Sequence, residues 1–328
     1  MENRDIVVIG SSAGGVNALK EIAASLPVNF NASVFIVQHI SADSISMLPE
    51  ILSYKGKLTT VHPADGETIQ RGYIYIAPPD RHMLIEGDRI LIKKGPKENR
   101  FRPSVDALFR SAAYNFGSRV IGVVLTGMLD DGTSGMWSIK RLGGLCVVQE
   151  PEEAAYPAMP LNVLEYVKVD HVVPIFGIAP LLSELVEGRV PEPEPLFTPE
   201  RERMKIEIDI AAQNNAFESG VMDMGEFTPI TCPECKGVLI RLTEGNLIRY
   251  RCHTGHSFHS SSLLGGLSES VESRLWEALK SMEELVISLT ESADAFERNG
   301  NVSFAEEYYE KAEIVREKAK RLHAFIFE

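Results

Sequence analysis

The chain has 328 residues, with 33 Lys and Arg against 46 Asp and Glu, a formal net charge of -13. That acidity argues against nucleic acid and anionic membrane surfaces as partners, because both call for a basic face. At 44% hydrophobic and 24% charged residues the chain is too apolar for global disorder. No apolar run reaches the ~18 residues of a membrane span, so no direct membrane insertion is expected. The start, Met1 to Asp5 followed by four apolar residues, is too short and too acidic for a signal peptide. The expectation is a cytoplasmic protein with reduced cysteines.

Up to about residue 188, short Val- and Ile-rich runs alternate with helical patterns. The run 6–9 enters Gly10-Ser11-Ser12-Ala13-Gly14-Gly15, and residues 16–25 then place Leu19, Ile22 and Ala23 on one helix face. A strand turning through Gly-x-Ser-x-Gly into a helix is the setting of a nucleophile elbow, with Ser12 lifted clear of the backbone. The spacing does not suit a dinucleotide loop; a tight structural turn is the bland alternative. The second run, 33–37, ends in Gln38-His39. Residues 59–94 hold shorter strands and many turn residues, which predicts an antiparallel hairpin region added to the sheet. His62 and His82 within it are read as structural or surface residues.

A helical pattern over 104–115 leads to a strand at 120–125, which ends in Thr126-Gly127-Met128-Leu129-Asp130-Asp131-Gly132. A helix at 135–142 and a strand at 145–148 follow; Cys146 reads as a buried small hydrophobe and His171 as a core histidine. Continuous apolar strands alternating with helices indicate an α/β fold, a mostly parallel sheet flanked by helices. Ser12, His39 and an aspartate, Asp130 or Asp131, then each follow the C-terminal end of a strand, where open sheets bind ligands. That is the supply of nucleophile, base and orienting acid that acyl transfer needs.

These motifs resemble the catalytic domain of the chemotaxis protein-glutamate methylesterase (CheB) family. The matching stretches are residues 8–15, Gln38-His39, 72–79, 102–106 and 125–132, so the likeness runs over residues 5–188. The resemblance implies a serine hydrolase that removes methyl groups from glutamate methyl esters on chemoreceptors, with glutamine deamidation as an associated activity. By motif position it makes Ser12 the nucleophile, His39 the base and Asp131 the orienting acid. It also makes the Met128 amide an oxyanion donor; the Ala13 amide is a second candidate on general grounds. Arg102 is expected either to meet an anionic receptor helix or to form a structural salt bridge. Met159-Pro160 matches near the site. Catalysis needs no cofactor, and methyl-accepting chemoreceptors are the expected partners.

Three departures stand out. Ala13 replaces a common Thr, and Leu129 stands where Gly is usual. The likeness begins at residue 5, which leaves no room for the usual N-terminal receiver domain and its control in cis. Two other readings stay open: a catalytically silent scaffold docking through its C-terminal parts, and an esterase of a different signalling system.

Residues 189–227 read as an acidic linker. From 191 to 227 there are nine acidic and three basic residues, and Pro191-Glu192-Pro193-Glu194-Pro195 should be extended. Ile206, Ile208 and Ile210 alternate with charges, which predicts a short docked strand. Residues 228–262 form a zinc-ribbon-like module: Cys232-x2-Cys235, sixteen residues, then Cys252-His253-x2-His256. That spacing suits a structural zinc held by Cys232, Cys235, Cys252 and His256, with His253 the weaker fourth ligand. A hairpin of 238–241 and 247–251 would close it. Residues 263–328 read as a helical hairpin turning at Asn299-Gly300-Asn301. Each helix carries one apolar seam, from Leu275 to Phe296 and from Ala305 to Ile326. The seams either bury each other or serve self-association or partner docking.

Overall fold

The computed structural model describes residues 3–190 and 198–327; the proline-rich stretch 191–195 lies outside them. The chain divides into two compact units, residues 1–263 and 264–328.

In the first unit β1 (Ile6–Ser11) is buried at every position, as the continuous apolar run requires of a strand covered on both faces. It leads into α1 (Gly15–Ser25), β2 (Ser33–Gln38) and α2 (Leu48–Lys55). Next come β3 (Thr59–Val61), β4 (Glu67–Thr68), β5 (Tyr73–Ile76), β6 (His82–Glu86) and β7 (Arg89–Lys93). Then α3 (Val105–Phe116), β8 (Val120–Val124), α4 (Thr133–Arg141) and β9 (Leu145–Gln149) follow. The series closes with α5 (Ala158–Tyr166), β10 (His171–Val173) and α6 (Ile175–Glu187).

Seven of these strands form one parallel sheet in the order β10-β9-β8-β1-β2-β5-β3. Alternate residues of β1 point to opposite faces. Val7 and Ile9 join a core with α1 and α6; Ile6 and Val8 join another with Val105, Leu108 and Phe109 of α3. The strand order reverses at β1, between β8 and β2, and that opens a crevice at the C-terminal strand ends.

The region 59–94 differs in part from the expected antiparallel addition. β3 and β5 extend the parallel sheet, whereas β4, β7 and β6 make a separate three-stranded antiparallel sheet. His171 is also corrected: it lies in the short edge strand β10 and is half-buried, not in the core.

Residues 198–211 are a helix, α7 (Thr198–Ala211), and not the expected short strand. Met204, Glu207, Ile208, Ile210 and Ala211 are its buried positions, and four of them, 204, 207, 208 and 211, follow the i, i+3, i+4, i+7 spacing of one helix face. The helical stripe was hidden because one of its core positions is a glutamate. Beyond it, β11 (Glu226–Thr231), β12 (Val238–Glu244), β13 (Leu247–Cys252) and β14 (Ser257–His259) form an antiparallel sheet. The module packs on the α/β layers through an ionic core. Arg110 of α3 and Arg249 and Arg251 of β13 meet Glu98, Glu207 and Glu244, and all six are buried. Three cations face three anions, which lets charge enter an interior where an unpaired ion would be costly.

A long helix, α8 (Ser260–Arg298), passes into the second unit, where α9 (Val302–Ile326) returns after a turn at Gly300 in the left-handed region, φ 78°. Within that unit Leu279, Ala293, Ala305, Ala312 and Ala319 are buried, and Phe296 packs on Phe304 and Tyr308. The two apolar seams thus cover each other.

Candidate active site and metal cluster

Ser12 follows the last residue of β1 and lies three residues ahead of α1. Gly14 sits at φ 76°, a left-handed conformation that side chains resist. Gly10 leaves room for α3: a Cβ there would meet Val105 Cγ1 at 2.3 Å. The turn is then tied down on both sides. Gln38 Nε2 donates to the Ser12 carbonyl at 2.8 Å, and the Ser12 amide donates to the Thr126 carbonyl at 3.0 Å. Thr126 Oγ1 donates to the Ala13 carbonyl at 3.0 Å.

His39 directly follows β2, with its Nδ1 3.2 Å from Ser12 Oγ and its Nε2 2.8 Å from Asp131 Oδ2. Its imidazole is stacked on Phe101, ring centroids 3.8 Å apart and 10° from parallel. Asp131 follows β8 and is 1% exposed. Besides His39 it accepts from the Val105 amide at 2.7 Å, the Asp106 amide at 3.1 Å, Ser104 Oγ at 2.9 Å and Asn99 Nδ2 at 2.9 Å. All five of these partners among the described residues are hydrogen-bond donors. Ser12, His39 and Asp131 thus stand in one hydrogen-bonded line across the adjacent strands β2, β1 and β8.

Asp130 points elsewhere: it accepts from the Ser261 hydroxyl and, at 3.4 Å, from the Ser262 amide. The Ala13 and Met128 amides donate to no protein acceptor among the described residues, and Met128 is half-exposed. The loop carrying Met128 runs tight against the elbow. A Cβ on Gly127 would lie 2.9 Å from Ser12 Cβ and 2.0 Å from Met159 Sδ. Leu129 adopts φ 65°, the conformation a glycine takes freely, and Asn162 Nδ2 donates to its carbonyl at 2.9 Å. Arg102 has its guanidinium committed to Asp80 Oδ1 at 2.9 and 2.5 Å and to the Gly95 carbonyl at 2.7 Å, the salt-bridge arrangement. The buried His82 donates from Nε2 to the Pro96 carbonyl at 2.8 Å and accepts at Nδ1 from the Ser104 amide at 3.2 Å, and burial lowers its pKa.

A family model described as CheB methylesterase matches residues 7–182. The chain belongs to the CheB methylesterase family. A Leptospira interrogans relative named putative protein-glutamate methylesterase/protein-glutamine glutaminase is 39% identical over 189 residues, 57% of this chain and 98% of the relative. The Thermotoga maritima protein-glutamate methylesterase/protein-glutamine glutaminase is 37% identical over 185 residues, 55% of this chain and 54% of the relative. The crystal structure of the Thermotoga maritima CheB methylesterase catalytic domain superposes with a TM-score of 0.54 at 36% identity, covering 57% of this chain and all of that one. The CheB match stops before α7, so the module and the helical pair lie outside it.

In that C-terminal part Cys232, Cys235, Cys252 and His256 bring one ligand atom each within 4.8 Å of one another. Cys235 Sγ to Cys252 Sγ is 3.6 Å, and His256 Nδ1 lies 3.8 Å from Cys232 Sγ and 3.6 Å from Cys252 Sγ. A tetrahedral zinc with bonds of about 2.3 Å to sulfur and about 2.0 Å to nitrogen separates its ligands by about 3.5–3.8 Å, so the donor set and spacing fit. His253 is not part of the group; its ring covers Gly237, where a Cβ would meet its Cε1 at 2.3 Å.

The reading from residues missed the groups that hold Asp131, above all Asn99, Ser104 and the loop that brings Phe101 onto His39. Arg102 and Asp106 drew attention to the neighbourhood, but nothing in the residue pattern marks Asn99.

Proposed function

We propose that this chain is a protein-glutamate methylesterase acting on methylated chemoreceptors, with glutamine deamidation by the same machinery. The observation that carries the reading is the line Ser12 Oγ–His39 Nδ1 (3.2 Å), His39 Nε2–Asp131 Oδ2 (2.8 Å) at the strand-order reversal. The family membership supplies the ester class.

The geometry supports the following sequence. Asp131 holds the Nε2–H tautomer, which leaves Nδ1 as the base beside Ser12. Ser12 Oγ attacks the ester carbonyl as its proton passes to His39 Nδ1, and the Asp131 carboxylate supports the imidazolium. Among the described residues the Ala13 and Met128 amides face no competing protein acceptor, and they stabilise the oxyanion. His39 then protonates the departing methoxide, methanol leaves, and water activated by the same nitrogen hydrolyses the acyl-Ser12. With a glutamine side chain the leaving group is ammonia and the steps are the same. Cys232, Cys235, Cys252 and His256 would hold a structural zinc; when bound, it supplies folding energy to the module and no step of the ester chemistry.

The test is methanol release from a methylated chemoreceptor by the parent and by Ser12→Ala, both shown folded by circular dichroism. The parent releases methanol and the variant does not. Equal release by the two would overturn the assignment of Ser12.

A further inference from the structure

We infer that the C-terminal module is a positioning element for the esterase, and that through Asn99 the metal state of its cysteine cluster sets how fast Ser12 reacts. The inference rests on the triad and metal-site readings given above.

Asn99 joins the two parts. Its side-chain nitrogen donates to Asp131 Oδ1 at 2.9 Å and to Asp106 Oδ2 at 2.8 Å. Its side-chain oxygen accepts from the His259 amide of the module at 3.0 Å. Reversing the amide would set its oxygen against two carboxylates and its nitrogen against an N–H donor, so acid and module together specify one orientation. Asn99 is 1% exposed and sits at φ 51°, a left-handed conformation that needs outside support to persist in a non-glycine residue.

The module provides that support. The Asn99 amide donates to the Ser257 carbonyl at 2.7 Å, and Glu98 and Ser257 form a parallel bridge. Arg251 Nη2 donates to Glu98 Oε1 at 2.7 Å. Residues 98 and 101 pair with each other, so the same short loop that sets Asn99 on the acid sets Phe101 on the base. The clamping residues are covalent neighbours of the metal-site residues: Arg251 precedes Cys252 and Ser257 follows His256. The Cys252 amide donates to the His256 carbonyl at 3.0 Å and closes the knuckle between them. Loss of the metal removes the link that holds Cys252 and His256 to Cys232 and Cys235. It therefore slackens the strand end that grips residues 97–101. Support for a site by surrounding groups is a property on which small displacements have large effects on rate.

The experiment uses the full chain in zinc-loaded, chelator-stripped and zinc-reloaded forms, with metal content measured in each. Ser12 is labelled with a fluorophosphonate serine probe, and amide hydrogen exchange is followed over residues 97–101. Stripping is expected to lower the maximal labelling rate about tenfold or more while the half-saturating probe concentration stays within about twofold, and reloading restores the rate. Exchange over 97–101 accelerates in the stripped form. Loaded Asn99→Ala shows the same rate loss, and stripping that variant costs less than about a further twofold, because both changes act through one link. Equal rates with and without zinc in a protein that keeps its circular dichroism, or losses that simply multiply, would overturn the inference. If stripping unfolds the parent, the loaded and folded Asn99→Ala decides alone: labelling at the parental rate overturns it. Failure of the triad reading looks different, since the loaded parent would then label no more than Ser12→Ala.

Discussion

Arg251 Nη2 donates to Glu98 Oε1 at 2.7 Å across 153 positions of sequence, and both side chains are almost wholly buried. This pair belongs to an ionic core that no single segment could maintain. Glu207 of α7 is its centre: its carboxylate receives Arg249 at 2.8 and 2.9 Å and Arg251 at 2.8 Å, with Arg110 Nε 3.3 Å away. Removing Glu207 leaves three guanidinium groups sharing two carboxylates out of water. Glu207→Ala should therefore cost about 3–5 kcal/mol, read from the shift of the urea midpoint at constant slope. A loss below about 1 kcal/mol, the range of an exposed pair, would show that the cluster is hydrated.

The adjacent aspartates separate in the same physical terms. Asp131 accepts five hydrogen bonds, shared between both oxygens, so an amide nitrogen has no place without facing a donor. Asp131→Asn should lower kcat about a thousandfold or more, because His39 loses the group that selects its tautomer. Among the described residues the Asp130 side chain accepts hydrogen bonds from Ser261 and Ser262, faces His259, and makes none with His39. Asp130→Asn should keep kcat within a factor of about ten. The ratio of the two variants in a methanol-release assay is the measurement; comparable losses would mean that the acid is misassigned.

The central strands β1, β2, β5, β8 and β9 were legible because buried parallel strands are written as continuous apolar runs, and α1, α3 and α4 because their apolar residues recur at helical spacing. Ser12, His39 and the pair Asp130-Asp131 were legible because each follows such a run; the choice of Asp131 came from the family resemblance alone. The polar interior was not. Glu207, Arg249 and Arg251 occupy core positions of a helix and a strand, and a charged residue at a core position imitates a solvent face. Hence the three alternating isoleucines of α7 imitate a strand, and the charges around them imitate a solvated linker. Asn99 was invisible for a related reason: its four side-chain partners, Asp106, Asp131, the His259 amide and the Ser262 hydroxyl, come from three separate segments.

His259 offers a pH test of the join between module and esterase. Its ring forms an ion pair with Asp106, Nε2 to Oδ2 2.9 Å, with Asp130 4.0 Å from Nδ1. Burial opposes its charge, and Arg249 nearby does so too, but Asp106 and Asp130 prevail and raise its pKa to about 9. A histidine raised in this way stabilises the fold fully below its unfolded value of 6.5, and the contribution is lost as pH climbs through about 9. Unfolding free energy should therefore fall over that interval, and His259→Gln should flatten the fall. A native-state NMR titration of His259 with a midpoint near its unfolded value would contradict the assignment.

The four cysteines should respond differently to alkylation. Cys146 lies in β9 with no exposed surface, and burial pushes its thiol up to about 12, so almost no thiolate exists at neutral pH. It should resist iodoacetamide in the folded protein whether or not metal is bound. Cys232, Cys235 and Cys252 should be protected while zinc holds their sulfurs and should react once a chelator removes it. Peptide mass spectrometry after timed alkylation then expects no modified cysteine in the loaded protein and three in the stripped one. Rapid labelling of the three with zinc supplied would deny that they ligate it, and labelling of Cys146 in the folded chain would deny its burial.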